Sequence, residues 1–216
     1  MKVIILAAGY ATRLYPLTKN KAKPLLTVGH QTILDHIVDK VDRIDAVDEV
    51  FIVTNDKFYP SFVDWSQTYT GKKTITVVND QTTTNDNRLG AIADIQYVID
   101  HHQLDEDVMV LAGDNLFEFE LTDFVRFYDQ VQMDAITVHE LADQEQLKRT
   151  GVVEVNEEDT VVSFEEKPDK PKSNLAVPPF YIYRRATLPL FATYLAEDND
   201  PDAPGNHPVA HSSPRR

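Results

Sequence analysis

Through the first two-thirds of the chain, short apolar runs alternate with stretches of helical spacing. "KVIILAA" (2–8) is a compact apolar run closed by Gly9, the form of a buried strand. From Thr32 onward, Ile33, Leu34, Ile37, Val38, Val41 and Ile44 make one helical stripe. "EVFIVTN" (49–55) reads as a strand, 57–70 as helical with Pro60 confined to a first turn, and "KTITVVN" (73–79) as an alternating strand. Helical spacing returns over 88–102 at Leu89, Ile92, Ile95, Val98 and Ile99. "DVMVLAGDN" (107–115) is a strand ending in a polar turn. Residues 121–131 predict a helix with Thr122 as N-cap, and 134–141 a strand.

Such alternation implies an α/β fold: a Rossmann-like, mixed but mostly parallel sheet with helices on both faces. Ligands of these sheets sit outside the carboxyl ends of the strands. Two segments lie there, the loop after the first strand and "GDN" at 113–115. After residue 150 the pattern changes to short strands around a turn at Asn156–Asp159, a further strand in "NLAVPPFYIYRR", and a helix over 186–196.

Charge sharpens the first of those segments. The 216 residues carry a net −14, which argues against nucleic acid or an anionic membrane as a partner of the whole surface. Yet the first acid is Asp35. Residues 1–34 hold Lys2, Arg13, Lys19, Lys21 and Lys23 and sum to +5, leaving −19 for the remainder. Charge alone fits a solvated basic loop as well as a pocket for a small, highly charged anion such as a triphosphate. No run approaches the roughly 20 apolar residues of a membrane span. "MKVIILAAG" is too short for a signal peptide and has the wrong flank. With no cysteine, disulfides and thiolate chemistry are excluded, and a cytoplasmic home is the default.

A P-loop pattern and a G-x-G-x-x-G fingerprint are both missing, which weakens P-loop and dehydrogenase readings. The seven histidines show no metal spacing, and His101 and His102 read as exposed residues closing a helix. What remains is G-x-x-x-R-x-x-P-x-T followed by K-P-L-L, carried by Gly9, Arg13, Pro16, Thr18 and Lys23–Leu26. A glycine after a strand lets backbone N–H groups approach phosphate oxygens. Arg13 can clamp two oxygens with its planar fork, and Lys23 supplies a point charge. Lys19 and Lys21 read as solvated.

This stretch resembles the N-terminal signature of sugar-1-phosphate nucleotidylyltransferases, of the glucose-1-phosphate thymidylyltransferase kind. "LGAIADIQYVI" (89–99), "LAGDN" (111–115) and "EEKP" (165–168) are similar to further family stretches in the same order. The resemblance spans residues 1 to about 205 and implies the nucleotide-diphospho-sugar transferase fold. It divides the chain into a transferase domain at 1–197 and an irregular tail at 198–216. Within the domain, 1–145 would be the nucleotide-binding core and 146–197 the sugar-phosphate part. It implies nucleotide contacts at Leu6, Ala7, Ala8, Gly9, Asn79 and Gly90, and sugar-phosphate contacts at Gly151, Glu166, Lys167 and Tyr181. Arg13, Lys23, Asp114 and Lys167 would be catalytic, with Mg²⁺ on Asp114. The implied reaction joins a nucleoside triphosphate to a sugar-1-phosphate and releases pyrophosphate, in a chain that can form a homo-oligomer. A non-catalytic nucleotide binder and a phosphocholine-type cytidylyltransferase are the alternatives.

The chain departs from the usual pattern at three places. Tyr10 and Ala11 stand where glycine is common, Asn87–Gly90 replaces a D-G-L-A stretch, and Pro178–Pro179 precedes the aromatic strand. "DAPGN" (202–206) is typically followed by Phe-Ile-x-Trp-Leu and later by a second magnesium-binding Asp. Here 207–216 reads "HPVAHSSPRR". One choice of codons for that segment, read in another frame, gives Phe-Ile-Pro-Trp-Leu-Ile-His-Arg. A frameshifted tail, with helices and one metal carboxylate missing, is therefore expected.

Overall fold

The structure is a computed structural model that describes residues 1–202 and the backbone of 211–212. Its first half alternates as the spacing predicts: β1 (Lys2–Leu6), α1 (Ile33–Val41), β4 (Glu49–Thr54), α2 (Tyr59–Thr68), β5 (Thr74–Asn79), α3 (Ala91–His102), β6 (Val108–Ala112) and α4 (Leu121–Val131). A two-stranded ribbon, β2 (Thr27–Val28) and β3 (Gln31–Thr32), leads into α1. The second half holds β7 (Ala135–Ile136), β8 (His139–Glu140), α5 (Gln144–Leu147), β9 (Gly151–Val155), β10 (Thr160–Glu166), β11 (Leu175–Val177), β12 (Phe180–Tyr183), α6 (Pro189–Ala196) and β13 (His211–Ser212).

Among the described residues, the other eleven strands form one sheet ordered β5-β4-β1-β6-β12-β7-β13-β10-β9-β11-β8. The four at one end, β5, β4, β1 and β6, are parallel. β12 then runs antiparallel to β6, and the second half continues largely antiparallel. Strand alternation sends neighbouring side chains to opposite faces. Val3, Val50, Ile52, Met109 and Leu111 pack beneath α1, α2 and α4; Ile4, Phe51, Val53, Val108 and Val110 pack beneath α3 and α6. Both faces are thus covered, which is why these strands are near-continuous in Val, Ile and Leu.

The connectivity positions a site. The chain builds outward from β1 through β4 to β5, then returns to lay β6 on the other side of β1. The crevice between the carboxyl ends of β1 and β6 is a topological switch point. Gly113 holds it together, donating its N–H to Leu6 O at 2.9 Å. A Cβ on Gly113 would meet that same oxygen at 2.9 Å and Ile5 Cγ2 at 3.0 Å, so close approach requires glycine there.

Four local expectations are corrected. Thr122 is not the N-cap of α4; Glu120 is, because Leu121 is already helical and fully buried while Glu120 is held by Lys40 and Arg43. The strand expected over 134–141 is two short ones, since β7 pairs with β12 and β8 with β11 on distant parts of the sheet. "NLAVPPFYIYRR" likewise divides into β11 and β12 at Pro178–Pro179, where prolines withhold ladder donors. The tail expected to be irregular supplies β13, which pairs with β10 and β7. Backbone groups alone can fill that gap. Apart from His211–Ser212, the expectation for 207–216 lies outside the described residues.

Candidate active site

At the switch point lies a cleft of about 390 Å³. Its floor is the end of β1 and the loop that follows, where Leu6, Ala7, Ala8 and Gly9 line it. The end of β4 pins that loop: Asn55 Nδ2 donates to Ala8 O at 2.8 Å, and Ala7 N donates to Val53 O at 2.8 Å. Asn55 is fully buried, and sequence reasoning missed it because a polar residue ending a strand reads as a turn. Farther along the loop, Thr18 Oγ1 donates to Ala11 O at 2.7 Å and closes the basic segment on itself.

Lys23 starts a 3₁₀ turn and reaches across the cleft to Asp114, with Nζ to Oδ2 at 2.9 Å. Both side chains stay partly open to solvent. From α3 come Gly90, Ala91 and Asp94; from the second half come Gly151, Glu166 and Tyr181. The cleft therefore gathers ten residues marked in the sequence: Leu6, Ala7, Ala8, Gly9, Lys23, Gly90, Asp114, Gly151, Glu166 and Tyr181.

Three marked residues stand outside its lining. Arg13 is exposed on the 3₁₀ turn Thr12–Leu14. Asn79 ends β5 and donates to Asp56 Oδ1 at 2.8 Å. Lys167 follows β10 with a positive φ of 47°, which turns its backbone away from the strand course. Its Nζ lies 3.0 Å from Glu166 Oε1, at the rim.

The structure adds groups that the sequence did not mark. Arg88 and Asp202 line the cleft as an ion pair, with Nη2 at 2.5 Å and Nε at 3.2 Å from Oδ2. Beside them Pro201 O accepts from Ile92 N at 2.8 Å, at the start of α3. Gly90 takes φ +97°, and a Cβ there would meet Pro201 O at 2.7 Å. Asp94 is 5% exposed and faces buried Asp80. Burial, then the neighbouring Asp80 charge, pushes the Asp94 carboxyl up to about 8; burial also raises Asp80. Burial likewise raises the Tyr181 phenol. These pairings join residues far apart in the chain, and no local pattern announces them.

For a metal, the described residues bring no three acidic or histidine side chains together. Asp114 is a single, half-open carboxylate with one oxygen on Lys23. That donor set fits a hard cation such as Mg²⁺, which keeps water and substrate oxygens as most of its ligands.

Over 186 residues the chain is 31% identical to the UTP–glucose-1-phosphate uridylyltransferase AglF of Haloferax volcanii, covering 86% of this chain and 73% of that protein. It is also 31% identical over 175 residues to the bifunctional protein GlmU of Methanocaldococcus jannaschii, covering 81% of this chain but only 38% of that longer protein. In structure it resembles a putative glucose-1-phosphate thymidylyltransferase from Bacillus anthracis, solved in complex with a sucrose. The TM-score is 0.77 at 23% identity, over all of this chain and 87% of that one. A UDP-glucose pyrophosphorylase complexed with UDP-glucose matches with a TM-score of 0.74 at 22% identity, over 88% and 78% of the two chains. These likenesses share the mixed α/β fold. The nucleotidyl transferase profile matches residues 2–206, and the chain belongs to that family.

Proposed function

We propose that this chain transfers a nucleotidyl group from a nucleoside triphosphate to a sugar-1-phosphate. The observation that carries the reading is the Lys23–Asp114 contact across the switch point, facing Gly151, Glu166 and Tyr181 from the other half of the sheet. The relatives' own activities, on UTP and glucose-1-phosphate in the Haloferax protein, support the substrate classes.

An oxygen of the sugar phosphate attacks the α-phosphorus. One P–O bond forms, and the bond to the bridging oxygen of the β-phosphate breaks. Pyrophosphate leaves with that electron pair. The attacking oxygen is already ionised at neutral pH, so the chain need not remove a proton. Its task is to hold two polyanions in line and offset the charge. Backbone amides of the Ala8–Gly9 loop and the ammonium of Lys23 face the triphosphate. Arg13, on its exposed turn, joins them when the loop meets the ligand. Gly90 borders the base, with Asn79 behind it at the end of β5 and outside the lining; Gly151, Glu166 and Tyr181 take the sugar, and Lys167 at the rim meets the acceptor phosphate. Asp114 would hold Mg²⁺, which would supply positive charge against the α-phosphate oxygens. The described residues include no helix long and apolar enough to cross a membrane, and a triphosphate-fed reaction suits the cytoplasm.

A coupled pyrophosphate-release assay over five nucleoside triphosphates, with sugar-1-phosphates and phosphocholine as acceptors, tests this. Release dependent on a sugar-1-phosphate is expected. Release with phosphocholine alone reassigns the acceptor, and nucleotide binding without release under any pairing makes the chain a binder.

A further inference from the structure

We propose that Asp94 is a specificity-determining residue of the cleft, whose carboxyl accepts a hydrogen bond from an N–H or O–H group of the nucleoside. This rests on the nucleotide reading above and says which part of the nucleotide meets α3.

The charges around the cleft pair off. Lys23 stands on Asp114, Arg88 on Asp202, and Lys167 on Glu166. Asp94 lines the cleft at 5% exposure, and among the described residues no cation pairs with it, so an ionised carboxyl there would be an unbalanced charge facing a polyanion. Asp80 removes that charge. Its Oδ1 accepts from Thr82 N and Thr82 Oγ1, each at 2.7 Å, which favours Asp80 as the ionised partner. Asp80 Oδ2 and Asp94 Oδ1 are both shut off from solvent and find no hydrogen-bond partner among the described residues. One proton on Asp94 Oδ1, donated to Asp80 Oδ2, satisfies both oxygens at once.

Asp94 Oδ2 is then a neutral, carbonyl-like acceptor on the cleft side. An acceptor needs a donor. The ionised oxygens of a polyphosphate offer none, whereas base N–H and ribose O–H groups do. Asp94 therefore reads the nucleoside and not its phosphates. The charged and titratable groups around the pair are Asp56 after β4, Tyr10 after β1, Arg88 before α3 and Asp202.

Calorimetric titration of the full chain with ATP, CTP, GTP, UTP and dTTP, and separately with inorganic tripolyphosphate, tests the assignment. Asp94→Ala should weaken the best-bound nucleotide about tenfold or more, and leave tripolyphosphate unchanged. Asp94→Asn can donate its amide to Asp80 and still offer an oxygen to the cleft, so it should bind nucleotide like the wild type. Between pH 7 and 8.5 the wild type should lose nucleotide affinity as Asp94 ionises, and Asp94→Asn should lose less; ionisation of the ligand itself affects both alike. Equal losses for nucleotide and tripolyphosphate would overturn the inference. So would an Asn variant as weak as the Ala variant, or matching pH profiles in wild type and Asn variant. Where neither ligand binds the wild type, the nucleotide reading of the cleft falls first and this inference with it.

Discussion

Lys23 and Asp114 are 91 residues apart in sequence and 2.9 Å apart in space. Their contact sets the Lys23 ammonium over the space where the triphosphate is proposed to sit. We expect Lys23→Ala to lower kcat/KM for pyrophosphate release by about a hundredfold, the worth of one charge-assisted contact in a transition state, roughly 3 kcal/mol. Arg13 offers a sharper separation. It is exposed and outside the cleft lining, so Arg13→Ala should shift stability by no more than about 0.5 kcal/mol in urea denaturation. A large loss of turnover in the same variant would then report a contact made only with ligand. Unchanged turnover would return Arg13 to the solvated surface.

Helix α1 shows how local rules and long-range contacts divide the work of an element. Thr32 caps it, accepting from Asp35 N at 3.1 Å, while Asp35 Oδ2 accepts from Thr32 N at 2.7 Å. Asp35 Oδ1 also accepts from Trp65 Nε1 of α2 at 2.8 Å. Thr32→Ala should cost about 1 kcal/mol, as lost caps do. Asp35→Ala should cost more, because it also leaves the indole N–H of a buried Trp65 unpaired; equal midpoints in urea would refute that ranking. The helices and the four parallel strands were legible because burial on one or two faces writes a period into the sequence. The breaks were less legible. Thr122 looked like a cap, but the burial of Leu121 moved the start of α4, and β7 and β8 separated because their partners lie on different parts of the sheet. In the site, the Gly9 loop, Lys23 and Asp114 were readable as motif. Asn55, which holds that loop, Asp80, which faces Asp94, and Arg88, which pairs with Asp202, were not, since each acts through a neighbour distant in the chain.

For the whole molecule, the Asp80–Asp94 pair couples folding to pH. The folded chain keeps a proton on Asp94 up to about pH 8, whereas an unfolded aspartate loses it near pH 4. The folded state thus binds more protons in between, so this pair's contribution is full below about pH 4 and is lost as pH rises toward 8. Denaturation at pH 5 and pH 8 should show Asp94→Asn gaining stability relative to wild type at the higher pH. An equal difference at both values would mean that no such proton is held.

The last described stretch also belongs to this whole-molecule picture. Residues 198–202 fold over the start of α3: Pro201 O takes the Ile92 amide, Asp202 takes Arg88, and Asn199 Nδ2 donates to Tyr194 O at 3.0 Å. On sequence grounds this polar, proline-containing stretch reads as the start of an irregular tail. Asp202 lines the cleft, so the stretch forms part of its wall. A protease that cuts between Glu197 and Asp200 should work more slowly when nucleotide is bound, because the wall and its contents brace one another. A nicked chain should in turn release nucleotide faster. Cleavage rates indifferent to nucleotide would show that the rim opens independently of what the cleft holds.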